Sequence, residues 1–124
     1  MTTDLVISAF KKAKKERQTR EGMIFHSDLG SQYTSNEYEK LLLENNVKHS
    51  YSKKGYPYDN ACMESFNAIL KKEEVNVNTY ETFKETKLAI FEFIESWYNN
   101  TRVHGTLGYK TPNQKYNQYI ESIA

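Results

Sequence analysis

Two carboxylates, Asp28 and Glu64, are the residues of this chain whose types and surroundings most suggest chemistry. Asp28 directly follows the mostly apolar run of residues 23–27, and Glu64 lies in a segment predicted to be helical. A divalent ion that activates a nucleophile at a phosphodiester needs hard oxygen ligands, and strand ends and helices hold such ligands more rigidly than loops do. The pair therefore suggests a metal site for phosphoryl chemistry.

Three motifs around and beyond these carboxylates resemble one known family. Residues 26–35 read HSDLGSQYTS and residues 56–66 read YPYDNACMESF, and both are similar to the last two acidic motifs of the retroviral-integrase-like transposases of bacterial insertion sequences. Residues 97–109 read WYNNTRVHGTLGY, are followed by Thr111-Pro112, and resemble the C-terminal signature of that family. The resemblance runs from about Thr2 to Tyr119, with the motifs in order and at the family's spacing.

The resemblance implies a ribonuclease-H-like α/β fold with three carboxylates: an Asp on the first strand, an Asp after the fourth strand and a Glu on a later helix. Asp28 matches the second and Glu64 the third, and nothing matches the first. Asp4 is expected in the first turn of a helix, where a carboxylate is favoured. We therefore interpret residues 1–124 as a single partial integrase catalytic core domain, its C-terminal portion. Two parallel strands and four to five helices are predicted, with the first three strands absent.

The implied chemistry is phosphoryl transfer on transposon ends and target DNA. In the complete domain Asp28 and Glu64 would be catalytic carboxylates and ligands of Mg²⁺ or Mn²⁺, about 4 to 8 Å apart, with one ion activating water or a 3′-hydroxyl and the other stabilising the leaving oxygen. Two carboxylates hold Mg²⁺ poorly, because the ion demands near-octahedral geometry and sheds water reluctantly. The chain is therefore expected to be inactive alone and to bind no metal tightly.

Four polar residues are predicted to contact DNA. Lys53 and Lys54 precede Tyr56 and Tyr58 in a turn-rich loop, where lysines could touch phosphates and aromatic rings could stack on bases. The alternative is a solvated loop whose two tyrosines fold back on the core. Asn60 and Lys71 share a polar helical stripe with Glu64, and the family resemblance implies a DNA contact at Lys71, although lysines there could simply solvate the helix.

Two other functions compete with this interpretation. The chain could be a non-catalytic remnant that acts only through self-association or DNA backbone binding, since one carboxylate is missing. It could also be an unrelated metal-dependent hydrolase that uses His26, Asp28, His49 and Glu64. A regulatory DNA-binding module is disfavoured, because the net charge is only +1 and no helix-turn-helix pattern is visible.

Composition indicates one modest core rather than a disordered segment, because 14% of the residues are aromatic. The single cysteine, Cys62, excludes an internal disulfide and a cysteine-based zinc site, and its place on the apolar side of a helix predicts a buried thiol. No apolar run has transmembrane length and no signal peptide opens the chain, so cytoplasmic residence without membrane contact is expected.

Apolar periodicity predicts the elements that would hold these residues. Residues 23–25 form a short uninterrupted apolar run, typical of a strand buried on both faces of a parallel sheet. A helix capped by Ser35, with Tyr38, Leu41 and Leu42 buried, leads to a second strand at residues 47–51. The other helices are predicted at residues 5–17, 59–73, 80–99 and 112–123. The third of these four carries an apolar stripe that is expected to form either core or a partner contact: Phe83, Ile90, Phe91, Ile94, Trp97 and Tyr98.

Removal of the first three strands would leave one edge of the strand at residues 23–25 without a partner. An apolar edge strand is a template for pairing, and a two-stranded sheet is marginal alone. A homodimer, or a larger species, that buries this strand or the face that it exposes against a second copy is therefore expected.

Overall fold

Five α-helices and a two-stranded parallel sheet make up the fold, and the computed structural model describes all residues from Met1 to Ala124. This α/β architecture confirms the predicted pair of parallel strands with four to five helices. In chain order the elements are α1 Thr3–Glu16, β1 Ile24–Ser27, α2 Asn36–Glu44, β2 Lys48–Tyr51, α3 Ala61–Leu70, α4 Phe83–Glu92 and α5 Pro112–Ile123. Two 3₁₀ turns, Pro57–Asn60 and Gly105–Leu107, and two π-helical turns, Lys71–Val75 and Phe93–Tyr98, complete the list.

The chain divides into two compact units, residues 1–61 and residues 62–124. The first contains α1, α2 and the sheet, and the second contains α3, α4 and α5. The interpretation of the chain as a single domain remains a prediction. None of the helices is both long enough and apolar enough to cross a membrane.

The core of residues 1–61 forms where α1 and α2 meet β1. Phe10 of α1 and Tyr38 of α2 both pack edge-on against Phe25 of β1, with ring centroids 6.2 and 5.6 Å away. The buried members of this core follow the helical spacing of α1 and α2 and include the residue just before β2: Val6, Ile7, Phe10, Tyr38, Leu42 and Val47. The core therefore covers one face of the sheet.

Helix α2 follows its sequence signals closely. The Ser35 hydroxyl caps it by accepting a hydrogen bond from the Tyr38 amide at 3.3 Å. Tyr38 and Leu42 are only 1% exposed and Leu41 is half-buried, as predicted. Beyond the helix, Asn46 adopts a left-handed conformation with φ of 55°, which asparagine tolerates and which turns the chain into β2.

Strand β1 differs from the prediction in its bounds and in its burial. It spans Ile24–Ser27 rather than residues 23–25, and Ile24 is 64% exposed. Strand residues alternate between faces, and the core of residues 1–61 covers only the face that carries Phe25. The expectation of a strand buried on both faces is therefore wrong for this chain.

Residues 62–124 form their helices with little burial. The hydroxyls of Thr82 and Thr111 begin α4 and α5 in capping boxes with Glu85 and Gln114, respectively. Phe93, 9% exposed, is the buried hydrophobic residue of this unit. The bounds of α5 agree with the prediction.

Phe83 and Phe91 do not belong to the core of this unit, so for them the expectation of a partner contact remains a prediction, while the predicted burial of Cys62 is wrong. Phe83 and Phe91 are 84% and 57% exposed, whereas Phe93, which the pattern left out, is buried. Phe83 is the first residue of α4, and the π-helical turn that begins at Phe93 changes the helical phase of the residues after it, so the predicted stripe does not continue on one face. Cys62 is exposed rather than buried, because α3 contains no buried residue.

Candidate functional site

Asp28 lies immediately beyond β1, at the carboxyl end of a parallel strand. Its Oδ1 accepts a hydrogen bond from the Gly30 amide at 2.8 Å, and the Gly30 carbonyl accepts from the amides of Tyr33 and Thr34 at 2.9 and 3.1 Å. The carboxylate is exposed but is oriented by the turn that follows it. In parallel α/β sheets this end of a strand is where ligands bind.

Gly30 leaves room for this arrangement of side chains, and sequence reasoning missed it. A Cβ at position 30 would lie 2.9 Å from Asp28 Oδ1 and 2.6 Å from Gln32 Nε2, closer than side chains tolerate. Any larger residue must therefore displace the carboxylate or the glutamine. A glycine two residues after a candidate ligand was the available signal.

A partly buried hydrogen-bond network lies beside this strand end. Ser27 Oγ is 2.9 Å from His49 Nε2, and His49 Nδ1 is 2.8 Å from Glu39 Oε1. The Tyr51 hydroxyl also donates to Glu39 Oε1. The sequence pattern did not single out Ser27, Glu39 or Tyr51, because their contact depends on the register that pairs Ser27 with Tyr51 across the sheet.

His26 and His49 serve opposite faces of the sheet. His26 pairs with Ser50, and its ring nitrogens lie 3.0 Å from the hydroxyls of Ser50 and Ser52. His49 pairs with Phe25 and faces the core. Because successive strand residues alternate between faces, the two histidines do not share an ion, which argues against the hydrolase alternative.

Glu64 lies in the first turn of α3 and is exposed. Lys71 begins the π-helical turn that follows α3 and is also exposed. Asn60 is half-buried at the end of the preceding 3₁₀ turn. These positions keep Glu64 and Lys71 available to a ligand, while the predicted distance from Glu64 to Asp28 remains a prediction.

The loop before α3 presents its polar and aromatic side chains outward. Lys53 and Lys54 are exposed, and the Lys53 amide donates to Asp59 Oδ2 at 2.9 Å. Tyr56 and Tyr58 are 59% and 82% exposed. The alternative in which both tyrosines fold back on the core is therefore wrong.

The chemistry of the donors fits a hard divalent ion, but their number does not. Asp28 and Glu64 offer carboxylate oxygens, which Mg²⁺ prefers. Neither unit gathers three His, Cys, Asp or Glu side chains that could hold a metal ion. Each unit by itself therefore lacks a complete metal site.

The residues of the C-terminal signature pack around His104. The Arg102 guanidinium lies over the Trp97 ring at 5.9 Å, with its Nη1 3.3 Å from His104 Nδ1. The His104 amide donates to Lys110 O at 3.0 Å, and its ring packs on Tyr98 at 5.0 Å. Burial and, to a smaller extent, the Arg102 charge lower the pKa of His104. These contacts give the signature a structural role in this unit.

Comparisons with known proteins agree with the motifs. Residues 45–112 match a family model described as an integrase core domain, and residues 1–57 match a second model with the same description. The transposase for insertion sequence element IS904 of Lactococcus lactis subsp. lactis is 44% identical over 119 residues, which are 94% of this chain and 47% of that protein. Transposase InsF for IS3fB of Escherichia coli K12 is 36% identical over 120 residues, 97% of this chain and 42% of the transposase. The chain thus spans less than half the length of either relative.

Two solved structures have a similar fold. The simian T-cell lymphotropic virus intasome, in complex with the PP2A regulatory subunit B56 gamma, matches with a TM-score of 0.72 at 20% identity, over 94% of this chain and 40% of that one. The catalytic core domain of BIV integrase matches with a TM-score of 0.69 at 17% identity, over 98% of this chain and 74% of that one. These likenesses confirm the predicted fold class. The chain therefore belongs to the integrase core domain family, as its three motifs predict.

Proposed function

We propose that this chain is part of the catalytic core of a DNA transposase, and that the complete protein performs metal-dependent phosphoryl transfer in DNA integration. The observation that carries the proposal is 44% identity to an insertion-sequence transposase over 94% of the chain. The bound metal would activate the nucleophile and stabilise the leaving oxygen. Asp28 and Glu64 would supply two of its ligands, and cytoplasmic residence remains a prediction.

Asp28 is the residue whose geometry best supports this role. Its carboxylate projects from a strand end, is exposed, and is oriented by the Gly30 amide at 2.8 Å. Such orientation before ligand binding reduces the entropy lost when an ion is bound. Glu64 on α3 is the second ligand in the proposal.

The chain is proposed to be inactive alone, because the family uses a third carboxylate that this sequence does not match. The test is an assay for 3′-end processing and strand transfer on an end-bearing duplex, with Mg²⁺ or Mn²⁺. We expect no product. Robust cleavage that disappears in Glu64→Gln would contradict inactivity and would show that another carboxylate completes the site.

The non-catalytic alternative also predicts that this assay gives no product, so DNA contact needs its own test. Lys53 and Lys54 are exposed beside exposed Tyr56 and Tyr58, and Lys71 is exposed after α3. We propose that Lys53, Lys54, Asn60 and Lys71 contact the DNA backbone. Fluorescence anisotropy with a labelled duplex across a salt series measures how many phosphates are neutralised.

The double variant Lys53→Gln, Lys54→Gln is expected to weaken binding and to reduce the slope of log K against log salt by about 2. The matched control is Lys84→Gln, Lys87→Gln on α4, which changes the net charge equally. If both double variants lose DNA affinity equally, net charge alone explains the loss, and the proposal of a DNA-binding loop is contradicted.

We further propose that the chain self-associates through β1. The sheet has only two strands, so β1 has a neighbour on one side only. The bonds from Lys48 N to Met23 O and from Ser52 N to Ser27 O turn the odd-numbered residues of β1 toward β2. In a parallel ladder the backbone groups of Ile24 and His26 therefore face the open edge.

An apolar groove of about 450 Å³ lies between α1 and β1, with Phe10, Met23 and Phe25 among its lining residues.

Sedimentation at micromolar concentration is expected to show a dimer, and Ile24→Glu, which places a charge at the open edge, should give monomer. The control is Leu29→Glu, which adds the same charge at an exposed leucine just beyond β1. Leu29 is 52% exposed and Ile24 is 64% exposed. A wild-type monomer would contradict the proposal.

A further inference from the structure

We propose that Glu39, His49 and Ser27 form a positioning chain that holds the backbone of Asp28, an inference that rests on the proposed role of Asp28 as a metal ligand. The chain runs from Glu39 Oε1 to His49 Nδ1 at 2.8 Å and from His49 Nε2 to Ser27 Oγ at 2.9 Å. It ends where Ser27 Oγ donates to the Asp28 carbonyl at 2.8 Å. These three bonds link α2, β2 and β1 to the strand end.

The imidazole at the centre of the positioning chain is locked in place by packing. The His49 side chain is 5% exposed, and its ring centroid lies 3.9 Å from Tyr51, 5.5 Å from Phe25 and 6.1 Å from Tyr38. The Tyr51 hydroxyl holds Glu39 from a second direction. A buried polar group with satisfied partners restricts its neighbours to one arrangement.

Asp28 is held at two points as a result. Its carbonyl is anchored by Ser27 and its carboxylate by the Gly30 amide at 2.8 Å. A ligand that must sit within a fraction of an ångström of its ion needs such support from residues that do not touch the ion. The positioning chain therefore acts on the metal site through Asp28.

The order Ser27, His49, Glu39 is also that of a hydrolytic triad, but the environment excludes that use. Ser27 is 5% exposed, so its hydroxyl has no room for a substrate. The three bonds coexist when both ring nitrogens of His49 carry hydrogen: Nδ1 donates to Glu39, Nε2 donates to Ser27 Oγ, and Ser27 donates its one proton to the Asp28 carbonyl. In that arrangement His49 cannot accept the Ser27 proton. A nucleophile needs an accessible oxygen, and Ser27 has none.

The test is amide hydrogen exchange of Gly30, measured by NMR on the metal-free chain, because this amide is bonded to the Asp28 carboxylate. Ser27→Ala is expected to raise the Gly30 exchange rate about fivefold, the effect of losing one hydrogen bond, and Ser27→Thr should restore it to within about twofold. Ser50→Ala is the control, since Ser50 bonds His26 on the opposite face of the sheet. The Leu42 amide in the core reports global opening.

A rise at Gly30 with no change at Leu42 supports the positioning chain. No rise at Gly30, or equal rises at both amides, would overturn it. Should Ser27→Ala fail to fold, Glu39→Gln decides instead, with a rise at Gly30 of about twofold expected and an unchanged Gly30 contradicting the proposal. Labelling of Ser27 by a fluorophosphonate would also overturn it, because it would show an accessible nucleophile.

A second arm separates this inference from the proposed function. Mn²⁺ is added to the chain and the broadening of the Gly30 amide is measured, with Asp28→Asn as the background. Broadening that depends on Asp28 and weakens in Ser27→Ala is expected. Absence of Asp28-dependent broadening would contradict the metal role of Asp28, while the metal-free exchange would still decide whether the positioning chain holds the Asp28 backbone.

Discussion

Residues 1–61 and residues 62–124 are of nearly equal length but differ in how they are held together. The first unit buries six apolar side chains in one cluster around Tyr38 and Leu42. The second has one buried hydrophobic residue, Phe93. Burial of apolar surface is the main stabilising contribution to folding, so we expect most of the free energy of unfolding to come from residues 1–61.

The second unit relies instead on local signals. Thr82 and Thr111 each form a capping box, and Pro112 begins α5 in the position where proline favours a helix. Many of its large apolar side chains are exposed: Met63, Val77, Phe83, Leu88, Phe91, Val103 and Tyr109. The comparison teaches that helix formation and core formation are specified separately along this chain.

The largest expected effect comes from the core of the first unit. Leu42→Ala should lower the free energy of unfolding by about 3 kcal/mol, because it leaves a cavity at a residue that is 1% exposed. Leu43→Ala, at the next position and 76% exposed, should change it by less than about 0.5 kcal/mol. Urea denaturation followed by circular dichroism measures both, and similar losses would break the comparison.

Phe93 tests whether the second unit has a core at all. Phe93→Ala is expected to lower the free energy of unfolding by about 2 kcal/mol, less than loss of a fully buried phenylalanine, because Phe93 is 9% exposed and no other buried hydrophobic residue of this unit surrounds it. The control is Phe91→Ala, at a position 57% exposed. Amide exchange of α4 measures the loss, and equal behaviour of the two variants would show that Phe93 is not a core residue.

The first unit should also be sensitive to alkaline pH through Tyr38. Burial raises the pKa of Tyr38 from 10.0 to about 12, and electrostatic repulsion from Tyr33 makes a smaller contribution in the same direction. As pH rises, the unfolded chain loses the Tyr38 proton before the folded chain does. The free energy of unfolding is therefore unaffected by Tyr38 below about pH 10 and falls by up to about 2 kcal/mol toward pH 12. Tyr38→Phe should remove this part of the fall in urea titrations, and Tyr58→Phe, 82% exposed, should retain it. An unchanged pH profile in Tyr38→Phe would refute the assignment.

The smallest effect concerns capping in the second unit. The Thr111 hydroxyl accepts from the Gln114 amide at 3.2 Å, so Thr111→Ala should cost about 1 kcal/mol and fray the first turn of α5. Thr111→Ser keeps the hydroxyl and should remain close to the native chain. Carbon chemical shifts of residues 112–115 report this fraying. If the first turn of α5 does not fray in Thr111→Ala, packing rather than capping determines where α5 begins.

The sequence by itself determined the elements whose signals are local. The Ser35 cap and the spacing of Tyr38 and Leu42 predicted α2, and Pro112 predicted where α5 begins. The motifs around Asp28 and Glu64 predicted the family. Such features depend on neighbouring residues along the chain, and a cap or a helical stripe acts before any distant contact forms.

Only the tertiary structure decided which of the predicted faces are covered and which polar groups meet. The parallel register of β1 and β2 places Ser27 and His49 within hydrogen-bond reach, and α2 brings Glu39 to the same imidazole. Ile24 and Phe91 are apolar in sequence but exposed in the fold. Periodicity determines which residues share a face, whereas burial and hydrogen bonding require a second element on that face, and its position depends on contacts between residues far apart in the chain.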